Sequence, residues 1–161
     1  MTDQALVETL QHSRLGAELT PEQVRTLAAS LAFRDLAPDE VLVREGTSDN
    51  HLYVIVSGSL AVVRNAGTPE RITLLTMTAG DLVGELSFID ETPHYASLVA
   101  TVPTRVFGLT REKLESLLLA HPEIVYRVMR AIVRTVHEIQ RRISMQSAEL
   151  TNYIYKQHGK Y

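Results

Sequence analysis

Apolar positions along the chain change their period twice, dividing it into three zones. In the first, residues 3 to 31, Leu6, Val7 and Leu10 share one face of a short helix, and Thr20-Pro21-Glu22-Gln23 opens a second. There Thr20 can cap, Pro21 stands where its missing N–H is no loss, and Gln23 completes a capping box. From about Phe33 to Leu109 the runs shorten and become β-rich: VLVREG, HLYVIVSG, SLAVVRN, RITLLTM, DLVG, SLVATV and TRVFGL, separated by APDE, EGTSDN, SGS, NAGTPE, TAGD and VPT. That punctuation predicts an antiparallel sandwich or barrel with side chains filling the inside. Successive apolar residues in YVIV predict burial on both faces of that strand.

In the third zone Thr110 caps a predicted helix, REKLESLLLA, that ends near His121, and Pro122 opens a longer one. Along it Val125, Met129, Ile132, Val136, Ile139 and Ile143 alternate steps of four and three, and the register continues through Gln146 to Leu150 and Tyr153. A seam that regular predicts a homodimer through the long C-terminal helix as a coiled coil. The chain's own β-domain would cover only the proximal part of such a stripe. Arg127, Arg130, Arg134 and Arg141 fall away from the seam and read as a solvated face. The expected organisation is one domain over 1–161: N-terminal helices in 1–32, a β-roll in 33–109 and C-terminal helices in 110–155.

Composition narrows the function classes. The 161 residues carry a net charge of -3 with a pI of about 6.1, giving no overall electrostatic footprint for nucleic acid or an anionic membrane. There are no cysteines, which removes disulfides, thiolate nucleophiles and the common structural zinc sites, and fits a reducing cytoplasm. The opening MTDQALVETL has acids where a signal peptide needs a basic start, and no apolar stretch approaches a membrane span. A soluble, cytoplasmic chain is expected.

The candidate chemistry lies in GELSFIDETPHYAS, residues 84–97, a glycine loop with a carboxylate, small hydroxylated residues and a proline. No lysine or arginine occurs between Arg71 and Arg105, so the loop can crowd backbone amides around a ligand but lacks a fixed positive charge. With EGTSDNHLYVIVSGSLAVV at 45–63 and GDLVGELSFIDETPHYASLVA at 80–100, nearly the whole chain, from about residue 12 to 150, resembles the cyclic nucleotide-binding domain family of catabolite-activator regulators, kinase regulatory subunits and gated channels. The resemblance implies a mainly β (α+β) fold, an antiparallel β-jelly roll with N-terminal helices and a long C-terminal dimerisation helix. It also implies a ligand site in the loop after Val83: Gly84 and Glu85 at the ribose-recognising positions, and Leu86 and Ser87 with backbone N–H groups toward a phosphate.

The family pattern continues proline, arginine, small hydroxyl, alanine, then threonine or serine; here it reads Pro93, His94, Tyr95, Ala96, Ser97. The arginine and small hydroxyl that grip the phosphate are thus His94 and Tyr95. Loss of a charge-assisted contact of about 1.5 to 3 kcal/mol predicts an affinity for a cyclic phosphate lower by roughly ten- to a hundredfold. By the same resemblance the middle of the long helix, at Thr135, Ile139 and Gln140, closes over the base, and Arg134 is a candidate to replace the missing loop arginine. His94 reads as a weak phosphate contact, a pH-sensitive switch or, as readily as those two together, an exposed loop residue after a proline.

Asp90, Glu91 and His94 make a poor metal set, and Ser87 with His94 lacks an orienting acid, so no catalytic or metal residue and no cofactor beyond a cyclic nucleotide ligand is expected. Three functions follow: a non-catalytic sensor module with weak or altered nucleotide specificity that passes its state to a downstream protein, a ligand-free dimeric structural or interaction protein that keeps the fold, and an effector fragment of a transcription regulator. Direct DNA binding is not expected, because nothing after the long helix could enter a groove. The tail Tyr153, Ile154 and Tyr155 is an alternative occupant of the pocket.

Overall fold

The structure, a computed structural model, describes the backbone of residues 3–158 and the side chains of residues 4 and 6–149. Two helices, α1 (Asp3–Gln11) and α2 (Pro21–Ala28), flank a 3-10 turn at Gly16–Glu18. Thr20 and Gln23 form the reciprocal capping box at the start of α2, Thr20 Oγ1 accepting from Gln23 N–H at 3.3 Å and Gln23 Oε1 from Thr20 N–H at 3.0 Å. Eight strands follow: β1 (Ala32–Leu36), β2 (Val41–Val43), β3 (His51–Ser57), β4 (Ser59–Arg64), β5 (Ile72–Thr78), β6 (Leu82–Val83), β7 (Ser97–Ala100) and β8 (Thr104–Thr110). Between β6 and β7 lies a short helix, α3 (Glu85–Asp90); α4 (Arg111–Glu115) and α5 (Pro122–His158) close the chain.

The strands form two four-stranded antiparallel sheets, ordered β1-β8-β3-β6 and β2-β7-β4-β5, which is a β-jelly roll. Strand β3 explains the apolar run in its sequence. Tyr53 and Ile55 point into the roll among Leu60, Val62, Val83, Leu98 and Val106, while Leu52 and Val54 point out into a second core shared with the helices. That second core joins Leu10, Leu15, Leu19, Val24 and Leu27 to Phe88 of α3 and to Ile124, Val128, Ala131 and Ile132 of α5. The loop helix α3 is thereby packed into the same apolar mass as the base of α5.

Three features differ from the sequence expectations. Strand β1, AFRDL, has no apolar periodicity because four of its five residues are exposed on a sheet edge, and only Leu36 is buried. The helix expected across 111–120 stops at Glu115. Ser116 turns its hydroxyl back onto the Lys113 carbonyl at 2.7 Å, and Leu118 and Leu119 are 50% and 99% exposed, so no packing draws the helix onward.

The third is a correction to the α5 seam. Ile132 is buried in the helical core, Val125 packs against it, and Ile139 packs against the roll interior, so these three face the chain's own core. The outward stripe is instead Tyr126, Met129, Val133, half-buried Val136 and Ile143. It too follows steps of three and four as far as Val136, then takes one step of seven, past Gln140, to Ile143. The helix is apolar on two faces, and the register read from sequence took one line from each. Leu150, with Tyr153, Ile154 and Tyr155 of the tail, lies outside the described side chains.

Candidate ligand-binding site

The loop after β6 is set by Gly84, whose φ of +84° lies in the left-handed region. A Cβ there would come within 2.9 Å of the His51 carbonyl oxygen and 3.4 Å of the Tyr53 ring, so only glycine lets α3 start against β3. Ser87 is fully buried; its hydroxyl donates to the Asp49 carbonyl at 2.9 Å and accepts from Asp49 N–H at 3.0 Å. Ser97 is buried likewise, its hydroxyl accepting from Glu45 N–H at 2.9 Å. Both hydroxyls pin the 44–50 loop onto the cassette. From the other side Arg111 donates to the Phe88 carbonyl at 2.7 Å and the Ser87 carbonyl at 3.1 Å, and pairs with Glu91.

His94 is held at both levels. Its backbone N–H donates to Thr47 O at 2.8 Å and its carbonyl accepts from Gly46 N–H at 2.7 Å, while its side chain, 9% exposed, places Nε2 3.3 Å from Asp49 Oδ1. Burial acts to raise the Asp49 carboxyl, but the hydrogen bonds from His94 and from His51 N–H, with the charge of the two imidazoles, outweigh it and hold Asp49 below the usual carboxylate range. Tyr53, stacked on His51 at 5.5 Å, brings its hydroxyl 3.5 Å from Asp49 Oδ2; burial first, then the Asp49 charge, pushes that hydroxyl up to about 12.

Two spaces meet at this loop. Inside the roll a cavity of about 50 Å³ is walled by Val62, Leu75, Met77, Leu82 and Leu98 of the strands, by Val83, Gly84, Glu85, His94, Tyr95 and Ala96, and by Ile139 of α5. Outside it a groove of about 300 Å³ runs between Glu85, Leu86 and Tyr95 on one side and Val136, Ile139, Gln140, Ile143 and Ser144 on the other. Glu85, Tyr95 and Ile139 border both spaces. Burial raises the Glu85 carboxyl above its ordinary range, its own backbone N–H and the neighbouring His94 acting the other way. Burial, then the Glu85 charge, raises the Tyr95 hydroxyl.

Of the residues singled out from sequence, Val83, Gly84, Glu85, Leu86, His94, Tyr95, Ala96, Ile139 and Gln140 converge on these two spaces. Pro93 is exposed, Thr135 is buried at 3%, and Ser87 and Ser97 are occupied as loop pins; none of the four lines either space. Arg134 does not reach the loop. Its guanidinium is 2.5 Å from Glu18 Oε1, and with Arg127 on the Glu18 carbonyl at 2.6 Å and Arg130 3.5 Å from Glu18 Oε2 it ties α5 to the 3-10 turn. Nothing in the sequence marked Asp49 as the partner of His94, since the two are 45 positions apart.

Two four-stranded sheets closed around a cassette whose glycine, glutamate and buried serine lie beneath a long helix define a ligand-cassette jelly roll. The chain belongs to the cyclic nucleotide-binding domain family, whose sequence profile it matches over residues 33–121, more than half its length. It is 32% identical to the cyclic AMP receptor protein of Thermus thermophilus over 142 residues, covering 87% of this chain and 65% of that one. To a CRP-like cAMP-activated global transcriptional regulator of Mycobacterium tuberculosis it is 27% identical over 127 residues, covering 79% and 57%. The chain thus spans less than two thirds of the length of these curated relatives. Among solved structures, a cyclic nucleotide-binding domain from Methylobacillus flagellatus superposes with a TM-score of 0.78 at 26% identity, covering 89% of this chain and 81% of the other.

Proposed function

We propose that the chain is a non-catalytic sensor module in which a small molecule bound where the roll meets α5 resets that helix. The observation that carries the reading is the shared boundary: Ile139 of α5 and Tyr95 of the cassette each border both the roll cavity and the outer groove. A ligand that fills both must displace one or the other, and Ile139 moves only with α5. Ligand binding then biases the helix between two positions, the differential contact that any population shift requires. The exposed stripe from Tyr126 to Ile143 makes α5 the face for a homodimer, so the shift reaches whatever downstream protein reads the dimer.

The site is not built for tight cyclic phosphate binding. Where an arginine would grip the phosphate stands His94, engaged by Asp49, and Tyr95 sits in the small-hydroxyl position. Affinity for cyclic AMP is roughly ten- to a hundredfold below that of a loop carrying the arginine. Calorimetric titration of wild type and of the double variant His94→Arg, Tyr95→Ser with cyclic AMP and cyclic GMP tests this. The double variant binds cyclic AMP at least tenfold more tightly; equal affinities would overturn the altered-specificity reading.

A second reading, a dimer that keeps the fold without a ligand, is favoured by the small roll cavity, which holds little more than a water molecule or two. No binding by either protein decides for it. The shared length with bacterial regulators supports the effector role for this chain, whether alone or joined to an output domain.

A further inference from the structure

The charges around the cavity and groove indicate which molecules the site accepts. Among the described residues no lysine or arginine borders either space. Of the arginines on neighbouring elements, Arg111 holds the α3 carbonyls and Glu91, Arg64 holds Glu45, Arg14 holds Asp81 and Glu138, and Arg34 holds Glu40, while Arg44, Arg141 and Arg142 line neither space. His94 is the one titratable base on the cavity wall, and its Nε2 faces the Asp49 carboxylate. On the acidic side, Glu85 borders both spaces and is largely desolvated.

An anion entering here meets the Glu85 carboxylate and, among the described residues, no lysine or arginine side chain on either wall. Burying a charge without a partner is strongly unfavourable, and like charge at close range adds to the penalty. The polar groups that border both spaces, the Glu85 carboxyl and the Tyr95 hydroxyl, suit instead a ligand carrying hydroxyls. The rest of the groove is Leu86, Val136, Ile139 and Ile143 with the uncharged Gln140 and Ser144, a largely apolar slot open to a flat, uncharged body.

We propose that this site selects uncharged, hydroxyl-bearing molecules with a flat apolar body, a purine nucleoside being the test case, over their phosphorylated counterparts. The inference rests on the sensor reading above and names the ligand class of the same site. Cyclic AMP and adenosine share base and sugar and differ in the phosphate, so the ratio of their affinities isolates the charge. Selection of the uncharged member by on the order of tenfold or more is expected, the converse of a loop with an arginine.

The test is an NMR titration of the 15N-labelled full chain with adenosine and with cyclic AMP, in wild type and in His94→Arg, Tyr95→Ser. Adenosine shifts the amides of Glu85, Leu86, Ile139 and Ser144 in wild type, saturating at least tenfold below cyclic AMP, and the double variant reverses the order. Cyclic AMP equal to or tighter than adenosine in wild type overturns the proposal, as does an order unchanged in the variant. Neither probe binding wild type while the variant binds cyclic AMP also overturns it, leaving the sensor site standing. Silence from both proteins removes the sensor reading as well.

Discussion

His94 Nε2 lies 3.3 Å from Asp49 Oδ1, joining the cassette to the loop before β3 at the point where a phosphate grip would be expected. Because Asp49 is held below the ordinary range, its ionised form stabilises the folded state. The unfolded carboxyl titrates near pH 3.9, so this stabilisation is complete above that value and disappears as pH falls through the lower folded value. Between pH 5 and 2.5 the stability difference between wild type and Asp49→Asn therefore closes below about pH 4. His94→Ala moves the Asp49 carboxyl back upward and lowers stability by about 0.5 to 1.5 kcal/mol. Carboxyl-carbon NMR titration and urea melts read both.

Gly84 is the single residue on which cassette geometry depends most directly. With φ at +84° and the His51 carbonyl 2.9 Å from any added Cβ, Gly84→Ala strains the backbone and pushes α3 off β3. The left-handed conformation alone costs a non-glycine residue about 1 to 3 kcal/mol. The urea midpoint of Gly84→Ala falls accordingly, and with it Phe88 loses its seat in the helical core, measurable as faster amide exchange across 85–90.

The α5 register separates two neighbours that sequence alone treats alike. Val133 is 53% exposed on the outward stripe, whereas Ile132 is 3% exposed in the core. Val133→Glu converts the proposed homodimer to a folded monomer in sedimentation equilibrium, with little change in the melt of the monomer itself. Ile132→Ala instead costs about 2 to 5 kcal/mol of stability and leaves the association face intact. Dimer loss from Ile132→Ala without destabilisation would restore the seam through Val125, Ile132 and Ile139.

What the sequence made legible, and what it hid, follows from this helix and the loop. The cassette was readable because glycine at a forced φ, a following glutamate and the small residues at 96–97 are local requirements. Capping at Thr20 and Thr110 was readable for the same reason, and both side chains accept the expected amide. The phase of α5 was not, because an apolar helix packed on two sides offers several consistent heptads. Strand β1 was hidden by its exposure, and the fate of Arg134 by a partner, Glu18, that only tertiary packing brings near.

Arg14 spans three parts of the fold. Its Nε is 2.7 Å from Asp81, whose side chain is 9% exposed, its guanidinium also pairs with Glu138 of α5, and its backbone N–H donates to Gly80 O at 3.0 Å. Arg14→Ala leaves Asp81 buried with only the Thr78 N–H at 2.8 Å, which costs about 1 to 3 kcal/mol. It also frees the distal part of α5 from the roll, so hydrogen exchange speeds up around Glu138 and Ile139 more than around Ile132. Uniform loss of protection along α5 would contradict this link.

Glu85 shows the opposite linkage from Asp49. Its folded pKa is raised by burial, so the folded state prefers the protonated form, and stability declines as pH rises from the unfolded value near 4.3 through the folded one. At pH 7, above the unfolded value, the carboxyl is therefore a burden on the fold, one that a residue kept for ligand contact would carry. Glu85→Gln raises the melting temperature at pH 7, and the gain vanishes below about pH 4, where wild type is protonated in both states. Scanning calorimetry across that range checks the sign, and a variant that is destabilised at pH 7 would show that Glu85 supports the fold instead of serving the site.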